Sequence, residues 1–141
     1  MDDKTQHSAV DRYAKRGRVR HDDQRGEYKA FAADRAESGE LEAVELRMLQ
    51  YQGEVIYYSS ITRFHHNSDV SVTLRGLDFL AVIEGKNLGR LIHLLKRREC
   101  DFVQAFDPHR FHEADDPDAP FVEVIRVHNL FEGTVAYGGN A

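Results

Sequence analysis

The chain has 141 residues, of which 41% are hydrophobic and 30% charged, and its formal net charge is −5. This length fits one domain, and no apolar stretch reaches the roughly 20 residues that a membrane-spanning helix requires. The acidic balance provides no overall basic field for nucleic acid, and the single cysteine, Cys100, excludes an intrachain disulfide and a cysteine-rich metal site. We therefore expect a soluble cytoplasmic protein without a membrane segment or a secretory signal.

Residues 1–40 contain no leucine and no isoleucine, and they carry nine basic and nine acidic residues. Such a segment buries too little apolar surface to offset the entropy of ordering, which predicts a largely disordered N-terminal arm. Tyr28 and Phe31 share a helical face, so a short helix over 27–37 is the alternative there. The arm also holds a basic run that can contact phosphates without sequence specificity, formed by Arg12, Lys15, Arg16, Arg18 and Arg20.

Six segments after residue 40 have the apolar alternation, or the β-branched and aromatic composition, of strands. They lie at 44–48, 55–61, 70–74, 77–84, 101–106 and 121–128. Between the fourth and the fifth segment, residues 88–98 predict an amphipathic helix with Asn87 as its N-cap. Its apolar stripe is formed by Leu88, Leu91, Ile92 and Leu95.

These elements predict an α+β domain over residues 41–131, preceded by the disordered arm 1–40 and followed by a flexible tail, 132–141. We expect a mainly antiparallel sheet of about six strands with one helix packed on it, or a partly closed barrel. The strands at 77–84 and 121–128 are apolar on both faces, so both of their faces need cover. A symmetric dimer would provide that cover, and so would closure of the barrel.

The loop at 107–120 contains the histidines that are most suggestive of a metal site. The loop begins with an Asp-Pro pair, which is typical of a helix N-terminus, and such a helix would place His109 and His112 on one face, with Glu113 beside them. Imidazole and carboxylate groups bind divalent metals, so these three residues are a candidate metal site. The spacing is not that of the His-Glu-x-x-His motif, and solvated histidines in an acidic loop are the alternative.

A candidate anion site lies where the fourth strand meets the helix. Lys86 and Asn87 stand between two glycines at this point, and the free amides of a helix N-terminus attract anions. The alternative is a tight turn that only connects the two elements. Cys100 follows a basic helix end, where the helix dipole opposes a thiolate, so we expect a small, partly buried side chain rather than a nucleophile.

The sequence contains no phosphate-binding loop, no dinucleotide fingerprint and no nucleophile elbow. We therefore interpret the protein as a non-catalytic interaction module that associates with itself or with another protein. Two alternatives stay open: a metal-dependent enzyme that uses the loop of His109 and His112, and a weak binder of nucleic acid or an acidic partner through the basic arm 12–20. No cofactor is predicted, apart from the divalent metal that this loop would hold.

Overall fold

The computed structural model describes residues 24–33 and 39–131. The elements of these ranges are, in chain order, β1 (Gly26–Glu27), β2 (Phe31–Ala32), β3 (Ala43–Arg47), β4 (Gly53–Tyr57), β5 (Arg63–Asn67), β6 (Ser71–Arg75), β7 (Phe79–Lys86), α1 (Gly89–Lys96), β8 (Phe102–Gln104), β9 (Phe111–His112) and β10 (Phe121–Asn129). Short 3-10 turns follow β3 and β4, at Leu49–Tyr51 and Tyr58–Ser60.

The strands form two four-stranded sheets and one short parallel pair, β1 with β9. The first sheet has the order β10-β7-β6-β5 and is antiparallel throughout. The second has the order β2-β8-β3-β4, and its β3 and β8 run parallel, whereas its other pairs are antiparallel. The prediction of a mainly β, α+β architecture is confirmed. The partly closed barrel is wrong, because both sheets are open.

Two tight turns form the first sheet from consecutive strands. Asn67 and Asp69 flank Ser68, which has a φ of 54°, and this predicted turn joins β5 to β6. Gly76 begins the turn from β6 to β7, where a Cβ atom would lie 2.2 Å from the ring of Phe79. Only glycine fits this position without moving the aromatic side chain, so its place in the sequence fixes the hairpin.

Part of the predicted N-terminal arm belongs to the fold. Phe31 forms β2 instead of a helical turn, and it is buried against β8. The hydroxyl of Tyr28 donates to the carbonyl oxygen of Gln104 at 2.6 Å and accepts from the backbone N–H of Val122 at 3.0 Å, which links the two sheets. Residues 24–33 are therefore not the disordered segment that their composition predicts. Residues 1–23 and 34–38, and the predicted tail 132–141, lie outside the described residues.

Buried side chains from both sheets and from α1 form one apolar cluster. The predicted stripe is confirmed, since Leu88, Leu91 and Leu95 have no exposed surface. The helix is shorter than predicted, and its N-cap is Leu88 rather than Asn87. Asn87 has a φ of 58°, in the left-handed region, and no side-chain hydrogen bond caps the first helical turn.

The two strands predicted to be apolar on both faces are the neighbours β7 and β10. On their outer face Val82 lies opposite Arg126, whose guanidinium is 3.3 Å from the carboxylate of Glu84. The apolar side chains on this face are half-buried, because the long neighbouring side chains cover part of their surface. These side chains still expose part of their apolar surface, so a second copy on this face stays a prediction.

Candidate functional site

The β3–β4 hairpin ends in a turn with strained backbone. Gln50 and Tyr51 have φ values of 61° and 62°, and the N–H of Gln52 donates to the carbonyl oxygen of Leu49 at 3.2 Å. Two consecutive left-handed residues are typical of a type I′ turn, which favours asparagine and glycine. A residue with a Cβ atom costs about 1–2 kcal/mol in this conformation. The strained turn projects Tyr51 outward, with 78% of its surface exposed.

Stacked cations hold the side chains around this turn. The guanidinium of Arg110 lies 4.0 Å from the ring centre of Tyr51, and that of Arg47 lies 3.9 Å from the ring centre of Phe102. Arg47 also donates from Nε to the carboxylate of Glu45 at 2.9 Å. These contacts fix the outer face of the hairpin, since cation–π pairs restrict both partners.

The edge strand β4 is the main feature of the hairpin, because it pairs with β3 and with no other described strand. The N–H of Tyr58 donates to the carbonyl oxygen of Glu42 at 2.9 Å. Bonded and non-bonded positions alternate in antiparallel pairs, so Gly53, Val55 and Tyr57 direct their backbone groups away from β3. Val55 and Tyr57 are 57% and 56% exposed. The strand thus offers free backbone groups next to exposed apolar side chains.

A groove of about 210 Å³ runs along β4. Val55 and Tyr57 line one side of it, and Phe79 and Val127 of the first sheet line the other. Asp78 and Glu54 add carboxylates at its rim. An extended segment laid against β4 would therefore contact both sheets at once.

The other edge strands are protected in ways that β4 is not. β5 is polar along most of its length, with Arg63, His65 and His66 all exposed. β10 contains a bulge between Val122 and Val124, and β2 has two residues. Charges, bulges and short length are the usual means of preventing edge-to-edge pairing. The exposed apolar β4 is therefore the edge best suited to binding another strand.

The structure does not gather the predicted metal ligands. The predicted helix is wrong: a turn closed by the N–H of His109 on Asp107 Oδ1, at 3.0 Å, leads directly into β9. His112 pairs with Glu27 of β1, and Glu113 is exposed in the following loop. Within the described ranges, no three histidine, cysteine, aspartate or glutamate side chains come together to hold a metal ion. The site of His109, His112 and Glu113 thus finds no support in the fold.

The predicted anion residues have structural contacts. The side-chain amide of Asn87 donates to the carbonyl oxygens of Pro117 and Ala119, at 3.1 and 3.0 Å, and so ties down the 107–120 loop. The ammonium of Lys86 lies 5.6 Å from the ring centre of Phe121. Asn87 is thus bonded to the loop rather than directed at an anion at the helix N-terminus. The basic arm of Arg12, Lys15, Arg16, Arg18 and Arg20 lies outside the described residues.

Cys100 is fully buried, which agrees with its predicted structural role. Its backbone carbonyl accepts from the hydroxyl of Tyr58 at 2.8 Å, and its thiol donates to the carbonyl oxygen of Phe102 at 3.3 Å. Burial, followed by the nearby carboxylate of Asp101, raises the pKa of the Cys100 thiol to about 12. The thiolate that nucleophilic chemistry requires is therefore scarce at neutral pH.

Sequence reasoning missed Tyr51, Val55 and Tyr57 as surface residues. The segment 55–61 has the composition of a strand, but composition does not show whether a strand lies at an edge. The signal was the absence of charge between Tyr51 and Tyr57, apart from Glu54. Uncharged apolar segments are the ones that pair with other chains when they are exposed.

None of the helical segments in the described part of the chain has the length and apolar content that crossing a membrane requires. Comparisons of the sequence with protein-family models and with curated proteins, and of the fold with solved structures, find no match. The function must therefore be argued from the geometry of the chain itself, in which the β4 edge is the surface best built to bind another molecule.

Proposed function

We propose that this protein is a non-catalytic interaction module of the cytoplasm, which binds a second copy of itself through the β4 edge. The observation that supports this function is the outer edge of the strand Gly53–Tyr57, which has no partner among the described strands and exposes apolar side chains beside its outward backbone groups. Burying those groups against another strand replaces their bonds to water and removes apolar surface from solvent.

The residue pattern of β4 suits an antiparallel copy of itself. With Val55 opposite Val55 of the second copy, Gly53 lies opposite Tyr57, and each tyrosine ring covers a glycine. The strand pair gains about six interchain hydrogen bonds from the outward positions of both copies. Glu54 lies opposite Ile56 in this register, so the two carboxylates do not oppose each other directly. The match between a strand and its own reverse favours a symmetric dimer.

The size of the contact predicts a weak dimer. A five-residue strand with flanking side chains is at or below the lower end of stable interfaces, which bury about 1,200 Å² in total. We expect a dissociation constant in the range of about 1–100 μM, because ordering costs consume much of the gain. Self-association then depends on local concentration, as an interaction module requires.

Sedimentation velocity of the whole chain, from about 1 μM to about 1 mM, tests this function across the expected range. We expect the sedimentation coefficient to rise from that of a monomer to that of a dimer. Val55→Lys places two ammonium groups against each other at the centre of the pair, so this variant should stay monomeric throughout. Val70→Lys is the matched control, since Val70 is 43% exposed in the turn before β6 and far from the pairing register.

Two outcomes would contradict the proposal. One is a wild-type chain that stays monomeric over the whole concentration range. The other is dimerisation that Val55→Lys and Val70→Lys weaken equally, which would show that a different surface or net charge controls association. Circular dichroism of both variants should match that of the wild type, because both side chains are exposed.

A further inference from the structure

Two arginines lie directly opposite each other at the outer edge of the first sheet. Arg63 of β5 and Arg75 of β6 are Cα partners, and both side chains are exposed. Among the described residues, neither guanidinium has a carboxylate within 4.0 Å. Like charges in directly opposite positions destabilise a strand pair. The arrangement thus opposes local stability, which is what a site shaped for an anion would show.

An open groove of about 640 Å³ surrounds this pair. Besides the two arginines it is lined by Thr62, Thr73, His65 and Leu80. The strand ladder fixes the backbone beneath the arginines, since the N–H and Oγ1 of Thr62 both donate to the carbonyl oxygen of Arg75, at 2.7 and 3.0 Å. Cations, hydroxyls and an imidazole therefore face one space on a rigid support.

The positive charge of the face is concentrated at this groove. The next arginine along the sheet, Arg126 of β10, is already paired with Glu84 at 3.3 Å. The net charge of the whole chain is −5, so an uncompensated pair of arginines stands out against an acidic molecule. Two guanidinium groups without a carboxylate partner among the described residues attract an anion more strongly than a cation.

We propose that this groove binds the phosphate group of a small phosphorylated molecule between Arg63 and Arg75. Two planar guanidinium groups offer parallel N–H donors to the oxygens of a doubly charged phosphate, which suits it better than a singly charged carboxylate. Among the described residues, no phenylalanine, tyrosine or tryptophan lines the groove, whereas surfaces for single-stranded nucleic acid typically stack bases on such side chains. The lining therefore favours an isolated phosphate group over an oligonucleotide.

Isothermal titration of the whole chain with inorganic phosphate, pyrophosphate and a thymidine oligonucleotide tests the site at low salt. We expect saturable binding of phosphate and pyrophosphate with dissociation constants of about 0.1–1 mM. Arg63→Gln and Arg75→Gln should each weaken pyrophosphate binding by about tenfold, because each removes one charged fork. Arg126→Gln is the matched control, and its effect should stay below about twofold because Glu84 already neutralises Arg126.

Three results would overturn the inference. The first is no saturable heat with phosphate or pyrophosphate up to about 10 mM, measured on a chain whose circular dichroism shows it folded. The second is an equal loss in Arg126→Gln and Arg75→Gln, which would indicate general charge rather than a site. The third is tighter binding of the oligonucleotide than of pyrophosphate with the same dependence on Arg63, which would identify a nucleic-acid surface instead.

Discussion

The two sheets of this protein are built in different ways. In the first, β5, β6 and β7 follow one another through tight turns, and every neighbour is antiparallel. In the second, β3 pairs in parallel with β8, which comes after the helix, and β2 joins from the N-terminal side. The first sheet can form from local hairpins, whereas the second depends on segments that are distant in the chain. Removing a segment should therefore lower stability more when the segment belongs to the second sheet than when it belongs to the first.

The outer edges of the two sheets differ in charge and in exposed apolar surface. The edge of the first sheet, β5, is exposed on both faces and carries Arg63 and two histidines. The edge of the second, β4, carries Val55 and Tyr57 with a free backbone row. A charged edge resists strand pairing and attracts anions, whereas an apolar edge favours pairing. This contrast is the reason for proposing self-association at one sheet and phosphate binding at the other.

The largest expected effect tests how far the second sheet depends on the N-terminal segment. A chain that starts at Leu41 lacks β2, and with it the buried ring of Phe31 and the ring of Tyr28. Burial of two large side chains contributes roughly 3–6 kcal/mol, so this chain should be less stable by that amount than one that starts at Gln24. Urea unfolding of both chains measures the difference. Equal stabilities would show that 24–33 adds nothing to the core.

That segment also shows where sequence reasoning fails. The alternation at 44–48 and 70–74 and the stripe of the helix predict β3, β6 and α1, because each element buries one face and repeats its apolar residues accordingly. Phe31 and Tyr28 carry no such repeat, since two or three side chains inserted from a charged segment give no period to detect. Composition averages over forty residues, whereas burial is decided by these few.

The same physics explains β5 and the parallel pair. Arg63–Asn67 is exposed on both faces, so no apolar alternation marks it as a strand. The pairing of β3 with β8 joins two predicted strands, but periodicity identifies a strand and not its partner. The candidate site was unpredictable for this reason: Val55 and Tyr57 lie in a predicted strand, and only the sheet order shows that the strand is an edge.

The next effect tests the link between the sheets. Tyr28→Phe keeps the ring among Phe106, Phe111 and Phe121 but removes the hydroxyl that bonds to both sheets. The carbonyl oxygen of Gln104 and the N–H of Val122 lose a partner, at a cost of about 1–3 kcal/mol. Thermal unfolding measures the loss, and Tyr57→Phe is the control, since its side chain is 56% exposed. A variant as stable as the wild type would mean that water replaces the hydroxyl.

A smaller expected effect is the pH dependence of stability that comes from Cys100, which is buried where the chain passes from α1 to the second sheet. Burial raises the pKa of Cys100 from the ordinary thiol value of 9.0 to about 12. Between these values the unfolded chain has lost the proton and the folded chain retains it, so stability is full below pH 9 and falls as pH rises, by up to about 1.4 kcal/mol per pH unit. Urea unfolding between pH 8 and pH 10 measures this slope.

Cys100→Ala is the comparison for that slope. Without the thiol, the variant should show a flatter dependence between about pH 9 and pH 10, whatever its stability at pH 7. Tyr58 and Tyr28 have pKa values that burial also raises, so their contribution has the same sign, but it begins only above about pH 10. An unchanged slope in the variant would assign the alkaline loss to groups other than the thiol.

The smallest expected effect sharpens the contrast between the two edges. Arg75→Thr removes one of the two opposed guanidinium groups and adds a β-branched side chain to β6, so it should stabilise the fold by about 0.2–1 kcal/mol. The gain should shrink at about 1 M salt, where the repulsion from Arg63 is screened.

The matched change at the other edge is Val55→Thr, opposite Glu45. It exchanges one uncharged side chain for another and relieves no repulsion, so its effect on stability should not depend on salt. If Arg75→Thr instead lowers stability at low salt, the arginine pair helps to hold β5 to β6, and the two cations do not oppose the fold as an anion site would. If stability rises while pyrophosphate binding is lost, the same side chain opposes the fold and serves the site, which is the trade expected of a residue kept for function.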